Sequence, residues 1–353
     1  PDRQERPVPR PGSEPHHPGR GSAGRGRGRG AQIRPPDRPQ PRRRRVGLDP
    51  RHRPAGRARP REHAPEIGVL TMATGLRPDR PARSDRAFVT LVTNADYALG
   101  ARALLRSIAW TGSTADRVVL HTGGVDSAVL APLADLGARL VAVDLLPTSQ
   151  AFNTRHARTN LHAAAPFTKG GKPAFHTPLD NFAKLRLWQL TDYRAVVFID
   201  ADALVLRTID KLFHYPEFCA APNVYESLAD FHRLNSGIFT ARPNPRTFEA
   251  MLARLDQPEA FWRRTDQTFL ETWFPDWHGL PVTYNMLQYV WFNLPGLWNW
   301  DTIRVLHYQY EKPWQTDHAK ADRLQPLIDL WTQYLDGATP PDLSAQPAPC
   351  ASS

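Results

Sequence analysis

Three apolar runs of strand length, "AFVTLVTN" from residue 87, "DRVVLHTG" from 116 and "ARLVAVDLL" from 138, alternate with two helix-like segments. In those segments, "YALGARALLRSIAWTG" and "SAVLAPLADLG", apolar residues recur every three or four positions, and the second ends at Gly137. Such alternation predicts βαβαβ, a parallel sheet with helices on its faces. Residues 151–178 are polar and interrupted by Gly and Pro, long enough to predict a functional loop rather than a simple connection. A further helix, "DNFAKLRLWQLTDY", then leads into a fourth apolar run.

That run, "VVFIDADALVL" over residues 196–206, carries two carboxylates where burial is expected. Read as one strand, its alternation sends Asp200 and Asp202 to the same side of the sheet, close enough to share one cation. Two unpaired carboxylates there repel each other and are costly to desolvate, whereas a divalent metal turns that cost into a site. The plainer alternative for Asp202 is a turn cap after the strand. Ligands of open α/β sheets sit beyond the carboxyl ends of strands, and the Asp pair lies near such an end.

Charge and proline are spread too unevenly for one uniformly folded chain. Residues 1–86 hold 22 Arg, no Lys and 9 acidic residues, a balance of +13, while the rest of the chain stands at −3. The leader also takes 16 of the 35 prolines, so it cannot bury enough surface to offset chain entropy. Residues 1–85 are therefore expected to be disordered, 86–337 to form the folded domain and 338–353 a flexible tail. "GRGRGRG" and "PRRRRV" suit an RNA-binding or nuclear-targeting tail. The plainer alternative is non-functional sequence from GC-rich codons, with Met72 the true start. Two cysteines, Cys219 and Cys350, predict no disulfide framework. The leader has no apolar segment for a signal peptide or anchor, so the expectation is a cytoplasmic protein with no membrane partner.

Six segments bring a resemblance. "AFVTLVTNADYALGARALLRSI", "FAKLRLWQLTDYRAVVFIDADALVLRTIDKLF", "NSGIFTARPN", "TDQTFL", "LPVTYN" and "HYQYEKPW" stand in the order and approximate spacing of the glycogenin-like glycosyltransferases of family 8. The likeness covers roughly residues 87–315. Any one motif is weak; six in register are specific. The resemblance implies the GT-A fold, an α/β architecture with a Rossmann-like mixed sheet flanked by helices and a nucleotide half continuous with an acceptor half. It also implies a UDP-sugar donor, Mn²⁺ (or Mg²⁺) bridging the donor diphosphate, and transfer of a hexosyl group with retention to a small sugar or polyol. A homodimer is compatible with it.

By position, Asp200 and Asp202 resemble the family's metal-binding pair and His307 its third protein ligand. Two hard carboxylates suit Mg²⁺ or Mn²⁺, and an imidazole shifts the preference toward Mn²⁺. Leu91, Thr93, Asn94 and Tyr97 resemble the uridine-binding set, a phenol for the base with Thr and Asn for its polar edge. Lys184 and Lys312 resemble lysines that meet the diphosphate and offset charge on the leaving group. Asn235 and Ser236, expected on a short turn before a strand, resemble sugar-side donors. Asp266 and Gln267 resemble the pair beside the anomeric carbon, as nucleophile or as support for an oxocarbenium-like state. Without the motif register, Asp266 reads as a helix N-terminal carboxylate, His307 and Tyr97 as core residues, and Lys184 as a solvated helix face.

The chain also departs from the glycogenin pattern. Arg263 stands where an acidic residue precedes the "DQ" aspartate, and the His and Lys of "HYQYEKPW" are one residue closer, without the intervening glycine. The acceptor-tyrosine region reads "MLQYVWFNLPGLW", with Phe292 near the expected place and Tyr289 several residues early, so a separate acceptor is expected. Seven of the ten tryptophans lie between Trp262 and Trp314, most of them expected to fill a core. Two other readings remain from the sequence: an RNA-binding protein acting through its leader, and a domain that binds or hydrolyses a nucleotide sugar without an acceptor.

Overall fold

In the computed structural model, which describes residues 75–156, 178–260, 265–315 and 317–349, the alternating segments form the expected parallel core. The leader with Met72, most of the polar stretch 151–178, Trp262, Arg263 and Cys350 lie outside the described residues. The first half runs β1 (Leu76–Pro78), β2 (Arg86–Val92), α1 (Ala95–Trp110), β3 (Asp116–Thr122), α2 (Ser127–Asp135), β4 (Arg139–Val143), α3 (Gln150–His156) and α4 (Pro178–Phe182). There follow β5 (Ala195–Ile199), β6 (Ala203–Val205), β7 (Cys219–Pro222), β8 (Leu234–Ala241), α5 (Pro245–Leu255) and α6 (Asp266–Trp273). Last come β9 (His278–Gly279), β10 (Met286–Leu287), α7 (Val290–Asn293), β11 (Val305–His307) and α8 (Ala321–Asp336).

The larger sheet has the order β1-β4-β3-β2-β5-β8-β7-β9, and a smaller one has β10-β11-β6. Strands β4, β3, β2 and β5 are parallel, whereas β8 joins β5 antiparallel, which makes the sheet mixed. Strand β1 precedes the domain boundary expected at residue 85 and pairs antiparallel with the edge strand β4. Beyond α8, Leu343 packs on the second core and Trp300 Nε1 donates to Pro347 O at 2.8 Å, within the stretch expected as a tail.

Helix starts follow the local chemistry. The Asn94 side chain accepts from Tyr97 N at the start of α1, Asp126 from Ala128 N at α2, and Asn244 from Arg246 N at α5. Strand alternation sends Val89 and Leu91 into a core with Phe182, Leu185, Trp188, Phe239 and Phe248, and Phe88 and Val92 to the opposite face under α1. A separate apolar cluster joins β6, β10 and β11 to α8 through Leu204, Met286, Leu306, Leu327 and Trp331. Trp291 and Trp298 are buried there, and Trp300 and Trp314 pack against it, so these tryptophans fill a core.

Two local readings are corrected. Residues 196–206 are two strands: β5 ends at Ile199, Asp200–Ala201–Asp202 forms a turn, and β6 belongs to the smaller sheet. The stretch expected as one helix over 180–193 is α4 followed by a 3-10 helix, Ala183–Gln189. Residues 183–188 are all buried, between the large sheet and α5, so Lys184 does not stand on a solvated helix face.

Gly100 sets the separation between α1 and the Asp200–Asp202 turn. A Cβ there would lie 2.6 Å from Ala201 O and 2.7 Å from the Trp314 ring. Gly100→Ala gains about 1 kcal/mol of helix propensity but overpacks against a backbone carbonyl, a cost of about 1–3 kcal/mol. The clash is with main chain, which cannot rotate away, so the overpacking wins. We expect a melting temperature a few degrees lower by thermal denaturation; an unchanged or higher value would show that the helix shifts freely.

Candidate active site

The turn at Asp200–Ala201–Asp202 is pinned at both ends by backbone. Asp200 N donates to Gly237 O at 2.8 Å, continuing the β5–β8 ladder, and Tyr308 N donates to Asp202 O at 2.9 Å, continuing the β6–β11 ladder. The turn brings together the "DAD", "NSG" and "HYQYEKPW" segments, more than 100 residues apart in the case of Asp202 and Lys312. The two carboxylates converge because the chain turns between sheets, not because a strand alternates. Asn235 and Ser236, expected on a turn, lie within β8.

Around this turn the charged groups alternate in sign. On one side Lys184 Nζ lies 3.1 Å from Asp200 Oδ1 and 2.7 Å from Asp266 Oδ2. Ser236 Oγ donates to the same Asp266 oxygen at 3.0 Å, and Ser236 N donates to Gln267 Oε1 at 3.3 Å. On the other side Asp202 is contacted by Lys312 Nζ and, at 3.3 Å, by His307 Nε2. Lys312 Nζ also donates to Tyr308 O at 2.9 Å. Lys184, Asp202, Asp266, His307 and Lys312 are buried, and Asp200 is partly exposed. Asp266 is the first residue of α6, capped by Thr265, so it is a helix N-terminal carboxylate and a member of the cluster at once.

Burial alone favours a neutral amine at Lys184 and Lys312, yet Asp200 with Asp266, and Asp202, hold both ammonium groups well above the ordinary lysine value. Burial would likewise raise Asp202, but Lys312 and His307 hold its carboxyl well below the usual range. Asp200 goes the other way: burial, with the charge of Asp202 beside it, outweighs Lys184 and pushes it up.

Tyr97 joins this cluster to the end of β2. Its ring meets Trp314 edge-on at 5.7 Å between centroids, Lys312 Nζ lies 6.0 Å from its centroid, and burial pushes its phenol up to about 12. Leu91 is buried in β2, Thr93 and Asn94 follow at its carboxyl end, and Asn94 is bonded to Tyr97. Asn94 Oδ1 is engaged by Tyr97 N at 3.1 Å, a capping role that the sequence reading did not assign. The reading also missed Gly237, where a Cβ would stand 2.3 Å from His307 Cε1, and gave no role to Asn223 or Asn285. Asn285 closes "LPVTYN", and its Oδ1 lies 2.9 Å from His307 Nδ1; the motif was visible, its partner was not.

Ligand atoms of Asp200, Asp202 and His307 all lie within 4.8 Å of one another. At that spacing the three side chains could hold one cation between them. Two carboxylate oxygens and an imidazole nitrogen fit Mn²⁺ or Mg²⁺.

Residues 88–318 match the family model "Glycosyl transferase family 8". Human glycogenin-1 is 32% identical over 279 residues, covering 73% of this chain and 74% of that protein. UDP-glucuronate:xylan alpha-glucuronosyltransferase 2 of Arabidopsis thaliana is 31% identical over 245 residues, 67% of this chain but 36% of that protein, so the chain spans about a third of its length. Among solved structures, the apo-form glycosyltransferase GlyE of Streptococcus pneumoniae TIGR4 superposes with a TM-score of 0.51 at 15% identity, covering 75% of this chain and 62% of that one. At that identity the likeness concerns the fold. The chain belongs to glycosyltransferase family 8 and has the GT-A fold. Among the described residues no helix is long and apolar enough to cross a membrane.

The ion pairs make a stability test. Lys184→Met strands Asp200 and Asp266 and is expected to cost about 3–5 kcal/mol near neutral pH. Without the ammonium, the burial and the Asp202 charge that already raise Asp200 lose their main opposition. A raised group contributes stability at low pH and loses it as the pH rises, so the deficit should shrink from about pH 7 toward pH 5 in thermal melts. A deficit that grows on acidification would refute this account of the cluster.

Proposed function

We propose that this protein is a retaining, divalent-metal-dependent hexosyltransferase that moves a hexosyl group from a UDP-sugar to a sugar or polyol hydroxyl. The observation that carries the reading is the convergence of Asp200, Asp202 and His307 between two buried lysines. In this reading those three residues hold Mn²⁺ (or Mg²⁺), which when bound supplies Lewis-acid stabilisation of the diphosphate leaving group. Lys184 and Lys312 add fixed positive charge where negative charge develops, at a site already shielded from water. Leu91, Thr93, Asn94 and Tyr97 take the uridine, Asn235 and Ser236 the sugar. Asp266, held by Lys184 and Ser236, stands with Gln267 beside the anomeric carbon. The two-cysteine composition favours the cytoplasm.

A separate acceptor is favoured by the surroundings of Tyr289. Its ring is buried, its hydroxyl donates to Glu311 Oε2, and Lys320 Nζ donates to that hydroxyl. Burial, then the bond to Glu311, raises its phenol well above the ordinary value, and the hydroxyl is engaged on both sides within the protein, by Glu311 and by Lys320.

Release of UDP from UDP-glucose, UDP-galactose, UDP-GlcNAc and UDP-glucuronate, the last being the donor named for the plant relative, tests the reading. Asp200→Asn and Asp202→Asn should each lower turnover by about 10²-fold or more while the protein stays folded. Exhaustive chelation should do the same to the wild type, reversibly with Mn²⁺; full activity after metal removal would end the proposal.

The acceptor is tested separately by intact mass after incubation with donor and Mn²⁺. No added hexose is expected. Adducts that vanish in Tyr289→Phe would instead make the protein its own acceptor.

A further inference from the structure

Three buried asparagines from separate parts of the chain form a continuous line of hydrogen bonds that ends on the imidazole of His307. Asn235 Nδ2 donates to Asn223 Oδ1 at 2.9 Å, Asn285 Nδ2 donates to Asn235 Oδ1 at 2.7 Å, and Asn285 Oδ1 lies 2.9 Å from His307 Nδ1. An amide oxygen has no proton to give, so His307 Nδ1 is the donor of the last bond and Nε2 is the nitrogen that faces Asp202, at 3.3 Å. The far end of the line is fixed by backbone, Asn223 N donating to Arg233 O at 2.8 Å. Asn235 Oδ1 also accepts from Gly237 N at 2.9 Å, so both of its lone-pair directions are taken within the protein. Gly237 leaves the space the ring occupies, since a Cβ there would come within 2.5 Å of His307 Nδ1.

We infer that Asn223, Asn235 and Asn285 are positioning residues for His307, setting which ring nitrogen is offered to the cation and where it stands. The inference rests on the metal reading of Asp200, Asp202 and His307. A metal-ligating histidine is normally oriented by a partner on its other nitrogen, and that partner is often a carboxylate. Here three carboxylates already stand against two ammonium groups. A neutral amide orients the ring without adding a fourth negative charge. An isolated amide would itself be free to turn by half a rotation and present its NH₂ to the ring. Asn285 is held against that because its NH₂ is bonded to Asn235 Oδ1, and Asn235 is held in turn by Gly237 N and Asn223. Asn235, expected at the sugar, thus has a second task that does not depend on any sugar.

The test is Mn²⁺ affinity measured from the electron paramagnetic resonance signal of free Mn²⁺, with saturating UDP and no sugar, on the full chain. Omitting the sugar removes sugar contacts from the readout. Asn285→Leu, similar in volume but unable to accept from Nδ1, should bind Mn²⁺ about 10- to 100-fold more weakly. Asn235→Leu, one hydrogen bond further from the ring, should lose about 3- to 10-fold. Asn235→Asp keeps the acceptor for Asn285 and Gly237, and Asn223 can turn its NH₂ toward it; binding should stay within about threefold of wild type or tighten. Should the Leu variants fail to fold, Asn223→Ala, at the far end of the line, takes their place and should show a loss of about threefold. Folded Leu or Ala variants with wild-type Mn²⁺ affinity, or an Asn235→Asp variant weakened as much as Asn235→Leu, overturn the inference alone, whereas a wild type that binds no Mn²⁺ beside UDP overturns the metal reading beneath it.

Discussion

Two backbone hydrogen bonds hold the centre of this molecule in register: Asp200 N to Gly237 O at 2.8 Å and Tyr308 N to Asp202 O at 2.9 Å. Each extends a ladder by one rung past the end of its strand, β5–β8 in the large sheet and β6–β11 in the small one. The turn between them is only three residues long, so neither sheet can slip without dragging the other. A one-residue slip in either ladder would send the facing side chains to the opposite face and separate His307 from Asp202. Gly100 and Gly237 serve the same constraint by leaving room, one for the Ala201 carbonyl and one for the imidazole.

Charge balance explains why the cluster tolerates its burial. Opposite charges about 3 Å apart at an effective dielectric near 20 attract by about 5 kcal/mol, enough to offset much of the several kcal/mol that each ion loses on leaving water. Three carboxylates against two ammonium groups nevertheless leave one negative charge in excess. That excess is concentrated on the Asp200–Asp202 side, where Asp200 is pushed up by burial and by Asp202. In the proposed reading a cation complements it and an anionic diphosphate meets the two lysines. The site is therefore better matched to a metal and a phosphorylated ligand together than to either one alone.

Residues whose chemistry follows from type and spacing could be found before any coordinates. Asp200 and Asp202 betray themselves as charges inside an apolar run, and the βαβαβ alternation predicted the parallel core that β2, β3 and β4 form. His307, Lys312 and Asp266 came through motif register, not through any local signal. What stayed hidden depends on contacts between distant segments. Nothing in "VVFIDADALVL" announces that β5 stops at Ile199, because β6 is just as apolar and differs only in the sheet it joins. The line of asparagines spans 84 positions from Asn223 to His307, and amides, unlike apolar residues, carry no periodic pattern. The 3-10 helix at 183–189 escaped for a related reason: part of its burial comes from α5, which lies about sixty residues later.

The segment Asn285–Tyr289 shows how one stretch of chain can change its task within a shared fold. In the glycogenin pattern an acceptor tyrosine follows it; here its side chains organise the loop that carries His307 and Lys312. Asn285 holds the imidazole, Gln288 N donates to His307 O at 2.9 Å and Gln288 Nε2 to Glu311 O at 2.8 Å, and the Tyr289 hydroxyl holds the Glu311 side chain. These contacts fall on residues 307 and 311, on either side of Tyr310, whose backbone φ of 66° lies in the left-handed region. A bulky residue there costs about 1–3 kcal/mol, so the loop needs external ties to keep its course. A glycine would adopt that φ without strain, and the loop lacks the glycine of the glycogenin pattern. The ties from Gln288 and Tyr289 take over the work of conformational freedom. The Tyr289 hydroxyl, bonded to Glu311 and Lys320, is engaged in that work, which supports the proposal of a separate acceptor.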